Sequence, residues 1–199
     1  NINIEGGFKV EGRPELPEAD RPSAFLTVAT ADYFRAMDIH LKQGRVFNDE
    51  DRPNGALVAL VNDKIAERFW PGGSPLNQRI SVNWLGQWRT LQVVGVVGRL
   101  RHEALDRDAR AEVFMPLSQT PFGSMTFVVR TTGDAAAMIP ALRSRIWDVD
   151  STLPIYDAST VSALVAQTLA ARRFVTNLLT VLAGLAFLLA TLGIYGMLV

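Results

Sequence analysis

From Phe174 to Val199 the chain runs without a single Asp, Glu, Lys or Arg, and this tail limits what it can fold into more than any other feature. A bilayer-spanning helix needs roughly 20 predominantly apolar residues, so the run is long enough to cross with some tilt. Its polar members, Thr176, Asn177, Thr180, Thr191 and Tyr195, are uncharged. The threonine hydroxyls can bond back to the helix's own carbonyls. A buried helix of a soluble core is usually shorter and keeps a polar face, which this run lacks. A secretory signal is excluded by the C-terminal position and the length. The expectation is a soluble domain that passes at its end into a transmembrane helix.

The residues ahead of that tail suffice for one domain or two small lobes. Lys plus Arg equal Asp plus Glu at 20 each, and no short stretch concentrates the basic ones. Phosphate backbones demand a basic surface, so nucleic acid is not an expected partner. With no cysteine, disulfides, thiolate metal sites and cysteine nucleophiles are excluded together. The opening Asn1-Ile2-Asn3-Ile4 alternates like a strand and reads as a cut inside a larger protein.

Along the chain, residues 1–10 predict one or two short strands broken at Gly6-Gly7, and the proline-rich, charged stretch 11–22 a loop. Ala24 to Thr30 is strand-like. Asp32 is placed to cap a helix through about His40, with Phe34, Met37 and Leu41 at helical spacing and Gly44 ending the segment. Ala56 to Val61 is almost wholly apolar, the pattern of a strand buried on both faces. Asn62 then caps a helix to about Trp70 that buries Ile65, Ala66 and Phe69, stopped by Pro71-Gly72-Gly73. Arg79 to Trp84 and Trp88 to Val97 predict a hairpin around Leu85-Gly86-Gln87. A charged loop, 99–110, precedes a short strand, Glu112 to Leu117, stopped by Pro116. Ser124 to Thr131 predicts another strand. Asp134 caps a helix with Ile139, Leu142, Ile146 and Val149 on one face, in which Pro140 should cause a kink or a delayed start. Leu153 to Tyr156 is strand-like, and Ser159 to Arg172 predicts a last helix leading into the apolar tail. Strands and helices mix without strict alternation, so the expected class is α+β.

Catalytic motifs are missing. Gly72-Gly73 follows a helix and has no lysine at P-loop spacing, so ATP would be hydrolysed outside these residues. His102-Glu103 starts like a zinc-protease helix, yet the position four beyond the histidine is Asp106. The two histidines, His40 and His102, lie in separate elements, and no G-x-S-x-G elbow occurs. Asp49, Glu50 and Asp51 lack the alternating oxygen ligands of a calcium loop and read as a solvated turn. Phe69-Trp70, Trp84 and Trp88 could line a groove for an apolar ligand, although aromatic stacking across the hairpin is the favoured reading. No catalytic, cofactor-binding or metal residue is assigned, no cofactor is expected, and the chain does not read as an enzyme.

Several segments in fixed order resemble the MacB-type periplasmic core domain of FtsX-like ABC transporter permeases. They are Ala31-Asp32-Tyr33-Phe34-Arg35-Ala36-Met37-Asp38-Ile39 with Leu41-Lys42-Gln43-Gly44-Arg45-Val46-Phe47, and Val58 to Asn62 with Ala66-Glu67-Arg68-Phe69-Trp70-Pro71-Gly72 and Pro75-Leu76. Val93-Val94-Gly95-Val96-Val97 follows, then Leu153-Pro154-Ile155-Tyr156, Arg172-Arg173-Phe174 and Leu192-Gly193-Ile194-Tyr195-Gly196. Asn77-Gln78 departs from the Gly-Lys usual in that family. The resemblance implies a two-lobed periplasmic domain with one lobe inserted into the other. Residues 1–30 and 122–158 would form the discontinuous lobe and 31–121 the insert. Residues 159–173 would be a stalk helix and 174–199 the transmembrane helix that starts the permease.

It further implies mechanical coupling to a separate cytoplasmic ATP-binding subunit, with a second permease half or a homodimeric copy in the membrane. The soluble part would lie in the periplasm or outside the cell. Ala183, Ala186, Ala190 and Gly193 would let another helix approach closely. Arg172-Arg173 point the other way, since the positive-inside tendency would put that flank in the cytoplasm; family topology outweighs it. The competing class is an extracytoplasmic ligand-sensing domain of a membrane signalling receptor, which the residues beyond Val199 would distinguish.

Overall fold

A computed structural model describes residues 4–14, 16–17, 20–98, 110–163, 182–184 and 186. The chain divides into two compact units, residues 1–130 and 131–199. Seven strands and two short helices make up the described part of the first: β1 (Ile4–Val10), β2 (Ser23–Ala29), α1 (Ala31–Ala36), β3 (Leu41–Gly44), β4 (Val58–Asn62), α2 (Asp63–Phe69), β5 (Arg79–Trp84), β6 (Gln87–Val97) and β7 (Glu112–Pro116). The second contains α3 (Ala135–Val149). The class is mixed α and β, as expected.

The strand order is β3-β6-β4-β7-β2-β1-β5, and a further pairing joins β5 back to β6. The sheet therefore closes on itself. Closure depends on the length of β6, whose residues 87–92 pair with β5 while residues 92–97 pair with β4. β1 divides its ladder in the same way, Ile4 to Gly7 on β2 and Phe8 to Val10 on β5. All six ring strands contribute to one core, including Phe8, Leu26, Val61, Ile80, Leu91 and Met115, with Ile65 of α2 added. A second core lies on the other face of β4 and β7, where Leu60 and Phe114 meet Tyr33, Phe34, Ile39 and Phe47. β4 is thus buried on both sides, Ala59 and Val61 in one core, Val58 and Leu60 in the other. That is the arrangement its continuous apolar run predicts.

In β6 the inward positions shift from Leu91 and Val93 to Val96. A bulge accounts for this: the pairing with β4 skips a residue between Ala59↔Val93 and Leu60↔Gly95. Gly95 is required there, because a Cβ would stand 2.3 Å from the carbonyl oxygen of Arg45. Gly6 does not break β1, contrary to expectation. It lets β1 lie close to its neighbours, since a Cβ would meet the Asn83 carbonyl oxygen at 2.6 Å.

Helix α1 starts from Thr30 rather than Asp32, which instead pairs with Arg35 at 2.9 Å in the first turn. It also stops early, at Ala36. Asp38 takes a left-handed conformation (φ 58°), and the amide of Ile39 donates to Phe34 O while that of Asp38 donates to Arg35 O. These are the two bonds of a Schellman stop. Leu41 consequently lies in edge strand β3, 42% exposed, and not in a helical stripe. Helix α2 matches its prediction closely. Asn62 Oδ1 accepts from the Ile65 amide at 3.2 Å, and Gly72, at φ 75°, follows its end.

Residues 124–131 form no strand, despite their alternation, and neither do residues 153–156. β1 and β2 bond to β5 and β7, strands of the segment 31–121, and supply no ladder to 124–131. A parallel β2–β7 ladder of five residue pairs satisfies β2 on that side. α3 begins at Ala135 with Asp134 Oδ1 accepting from Ala136 N at 2.9 Å, so Pro140 does not delay it. Among the described residues no helix is long and apolar enough to cross a membrane. The expected stalk 159–173 and membrane helix 174–199 lie largely outside the described residues.

Candidate functional site

Asp51 is not a solvated loop residue. Its side chain is 3% exposed and receives Arg45 in a two-pronged contact, Nη1 to Oδ2 at 2.8 Å and Nη2 to Oδ1 at 2.7 Å. The Asn48 amide adds a third donor at 3.0 Å. The Arg45 hydrogen bonds hold the Asp51 carboxyl below its ordinary range despite the opposing effect of burial, and the same contact raises Arg45. Both oxygens being engaged, the group is fitted for holding a loop, not for catalysis. The same loop is fastened by Ser118, whose hydroxyl donates to Asp51 O at 2.6 Å. Gln119 donates to Arg52 O and Ala56 O and accepts from the Val58 amide, at 3.0, 2.9 and 3.0 Å.

The other residues weighed for chemistry are dispersed. His40 is exposed on the way into β3, and its carbonyl accepts from Gly98 N. His102 lies outside the described residues. Asp49 and Glu50 are exposed, and among the described residues no group of three His, Asp or Glu side chains could hold a metal ion.

The tryptophans do not stack across the hairpin. Trp84 pairs with Gln87 and Trp88 with Asn83, so the two rings leave opposite faces of the ladder. Trp84 turns into the core and meets Phe122 edge-on at 6.0 Å. Trp88 stays 41% exposed beneath two cations, with Lys9 Nζ 4.5 Å and the Arg21 guanidinium 5.7 Å from its ring centre. Phe69 packs edge-on against Phe8 at 5.0 Å, and its carbonyl accepts from Arg13.

Trp84 and Phe122 help to line a cavity of about 220 Å³, whose walls include Val28, Tyr33 and the extended residues Ser124 to Val128. Met125, Phe127 and Val129 on that extended segment are 54%, 67% and 51% exposed, all at alternating positions. Arg130 ties the segment down through Nε to Ala36 O at 2.9 Å. The cavity's lining is chiefly apolar, with Asp32 its one carboxylate. Such a surface can hold an apolar group by shape. Sequence reasoning saw Trp84 as a candidate but missed Tyr33, Phe122 and Phe127, which come together only through the tertiary fold.

Residues 9–145 match the family model described as the MacB-like periplasmic core domain. No curated protein matches the chain. Among solved structures, the periplasmic region of MacB from Actinobacillus actinomycetemcomitans aligns at 16% identity and a TM-score of 0.47, over 77% of this chain and 75% of that one. The extracellular domain of the noncanonic ABC-type transporter YknZ from Gram-positive bacteria aligns at 19% identity and a TM-score of 0.46, over 75% and 76%. Neither likeness is close enough to bear on this chain's function, and the family match rests on its sequence.

Proposed function

The chain belongs to the family of MacB-like periplasmic core domains, and from that premise we propose that it is the extracytoplasmic domain of an ABC transporter permease. The observation that carries the reading is the family match, which spans residues 9–145 and takes in all of the sheet but the start of β1, the Asp51 clamp and the Trp84 cavity. In this reading the domain does no chemistry of its own. A separate cytoplasmic subunit closes on ATP, the permease helices shift, and the soluble domain moves with them to export a cargo or do work in the periplasm. Residues 159–173 serve as the stalk and 174–199 as the membrane helix, in an inner membrane that also holds a second permease half or a second copy. The uncharged run 174–199 and its direct continuation from 159–173 support that assignment. A closed sheet with a filled interior suits such a role, because a packed core transmits displacement and does not absorb it.

The test is co-purification of the full-length protein from its native membrane with an ATP-binding subunit, followed by ATPase measurements with and without candidate cargos. A stoichiometric ATPase partner whose activity depends on the permease is the expected result. If the intact protein purifies with no ATPase under conditions that preserve membrane complexes, the permease reading fails.

A further inference from the structure

A second groove lies at the N-terminal edge of β2, open and about 470 Å³ in volume, with Lys64, Arg68 and Arg110 among its lining residues and Glu5 and Ser23 also in its wall. Lys64 and Arg68 stand four residues apart on α2 and so share a face. Arg110 comes from the entry to β7, far away in sequence, with its guanidinium 5.0 Å from the centre of the Phe25 ring. One buried residue sets all three. Asn62, 3% exposed, caps α2 through Oδ1 and donates through Nδ2 to Arg110 O at 2.6 Å. Among the described residues none of the three cations forms an ion pair. A like-charged pair four apart on a helix is mildly destabilising, and a third cation in the same groove adds to the repulsion. An anionic occupant would relieve it.

We propose that this groove is a docking surface for an acidic segment of a partner protein, a site independent of the transporter reading. The geometry favours a protein segment over a compact phosphate. The groove is open and far larger than one phosphate, and the Ile65 amide in the first turn of α2 is already taken by Asn62. Glu5, whose Oε1 accepts from Ser23 Oγ at 2.7 Å, lies in the wall and would repel a small anion. A protein segment can place its carboxylates against α2 and Arg110 while offering Glu5 an amide or a lysine. Charges so arranged act chiefly on association rate and on choice of partner.

The probe is a fluorescein-labelled hexaglutamate peptide, titrated with the full chain in detergent and followed by fluorescence anisotropy. Saturable binding is expected, weakened by at least about ten-fold in the double variant Lys64→Glu, Arg68→Glu and falling as salt screens the charges. Arg145→Glu, on α3, should leave binding unchanged. Because Arg68 is exposed and Lys64 only half-buried, the double variant should keep the wild-type melting temperature, which is measured alongside. The proposal is overturned if the wild type does not bind the peptide, or if the double variant binds it equally well. It is also overturned if inorganic phosphate or phosphatidylglycerol vesicles displace the peptide from this groove at lower anion concentration than free glutamate peptide does.

Discussion

The closed sheet and helix α3 use their apolar residues in opposite ways. In the sheet, Phe8, Leu26, Leu60, Val61, Ile80, Val93 and Met115 are all fully buried. In α3, no residue is buried among its 15, and Val149, the last of its apolar stripe, is 87% exposed. Among the described residues, the hydrogen bonds that fasten α3 and the turn after it are local. Asp134 caps its start, Trp147 Nε1 donates to Leu153 O at 3.2 Å, and Asp150 Oδ1 accepts from both the amide and the hydroxyl of Thr152. The sheet buries its core apolar side chains fully, whereas in α3 the stripe of Ile139, Leu142 and Ile146 is only half-buried and Val149 is exposed.

The sharpest way to break that contrast is to delete equivalent apolar bulk on each side. Phe114 is 1% exposed and meets the rings of Phe34 at 5.2 Å and Tyr33 at 6.3 Å. Phe114→Ala should cost about 3–5 kcal/mol, the usual range for a filled core. Ile146→Ala, at a half-buried position of α3, should cost under about 1 kcal/mol. Urea unfolding of the two variants measures both. Equal losses would mean that α3 is as well packed as the sheet.

How much of this could be read in the sequence follows the same division. Local signals were legible: the apolar run of β4, the Asn62 cap, the hairpin and the Asp134 cap each appear where the residues place them. Long-range consequences were not. Ser124 to Thr131 has the alternation of a strand, but alternation says nothing about whether a partner strand is at hand. The early stop of α1 depends on Asp38 accepting a left-handed conformation, which an aspartate tolerates without advertising it. Asp51 looked like one of three exposed acids. Only the fold shows Arg45 bent back upon it. The groove of Lys64, Arg68 and Arg110 was invisible for a like reason, since Arg110 follows Arg68 by 42 positions and the Asn62 side chain joins α2 to the Arg110 carbonyl.

Asp51 sharpens the comparison from the polar side, because it is buried where the α3 cap, Asp134, is exposed. Its folded value lies below the ordinary one, so its stabilising effect is complete above about pH 4 and disappears as pH falls through the folded value. Asp51→Asn should lower stability at neutral pH by about 2 kcal/mol, a charge-assisted pair weakened by the partial exposure of Arg45. It should also flatten the acid limb of the stability curve, and chemical denaturation between pH 2 and 7 would show both. An acid limb as steep as that of the wild type would place the linkage on another carboxylate.

The smallest expected effect concerns strain within the otherwise well-made sheet. The turn between β5 and β6 has only two residues, Leu85 at φ 51° and Gly86 at φ 85°. Both signs are positive, as the right-handed twist of a two-residue hairpin prefers, and Asn-Gly is the sequence that meets this at least cost. Leucine meets it badly, since its Cβ crowds the following carbonyl in that conformation. It recovers little through burial, being 62% exposed. Leu85→Asn should therefore raise stability by about 0.5–1 kcal/mol, seen as a melting temperature a few degrees higher. No helix-surface substitution in α3 relieves comparable backbone strain, because no residue of that helix has a positive φ. If Leu85→Asn instead destabilises the protein, the exposed leucine makes a contact that offsets its strain, and the hairpin tip becomes a surface with a partner.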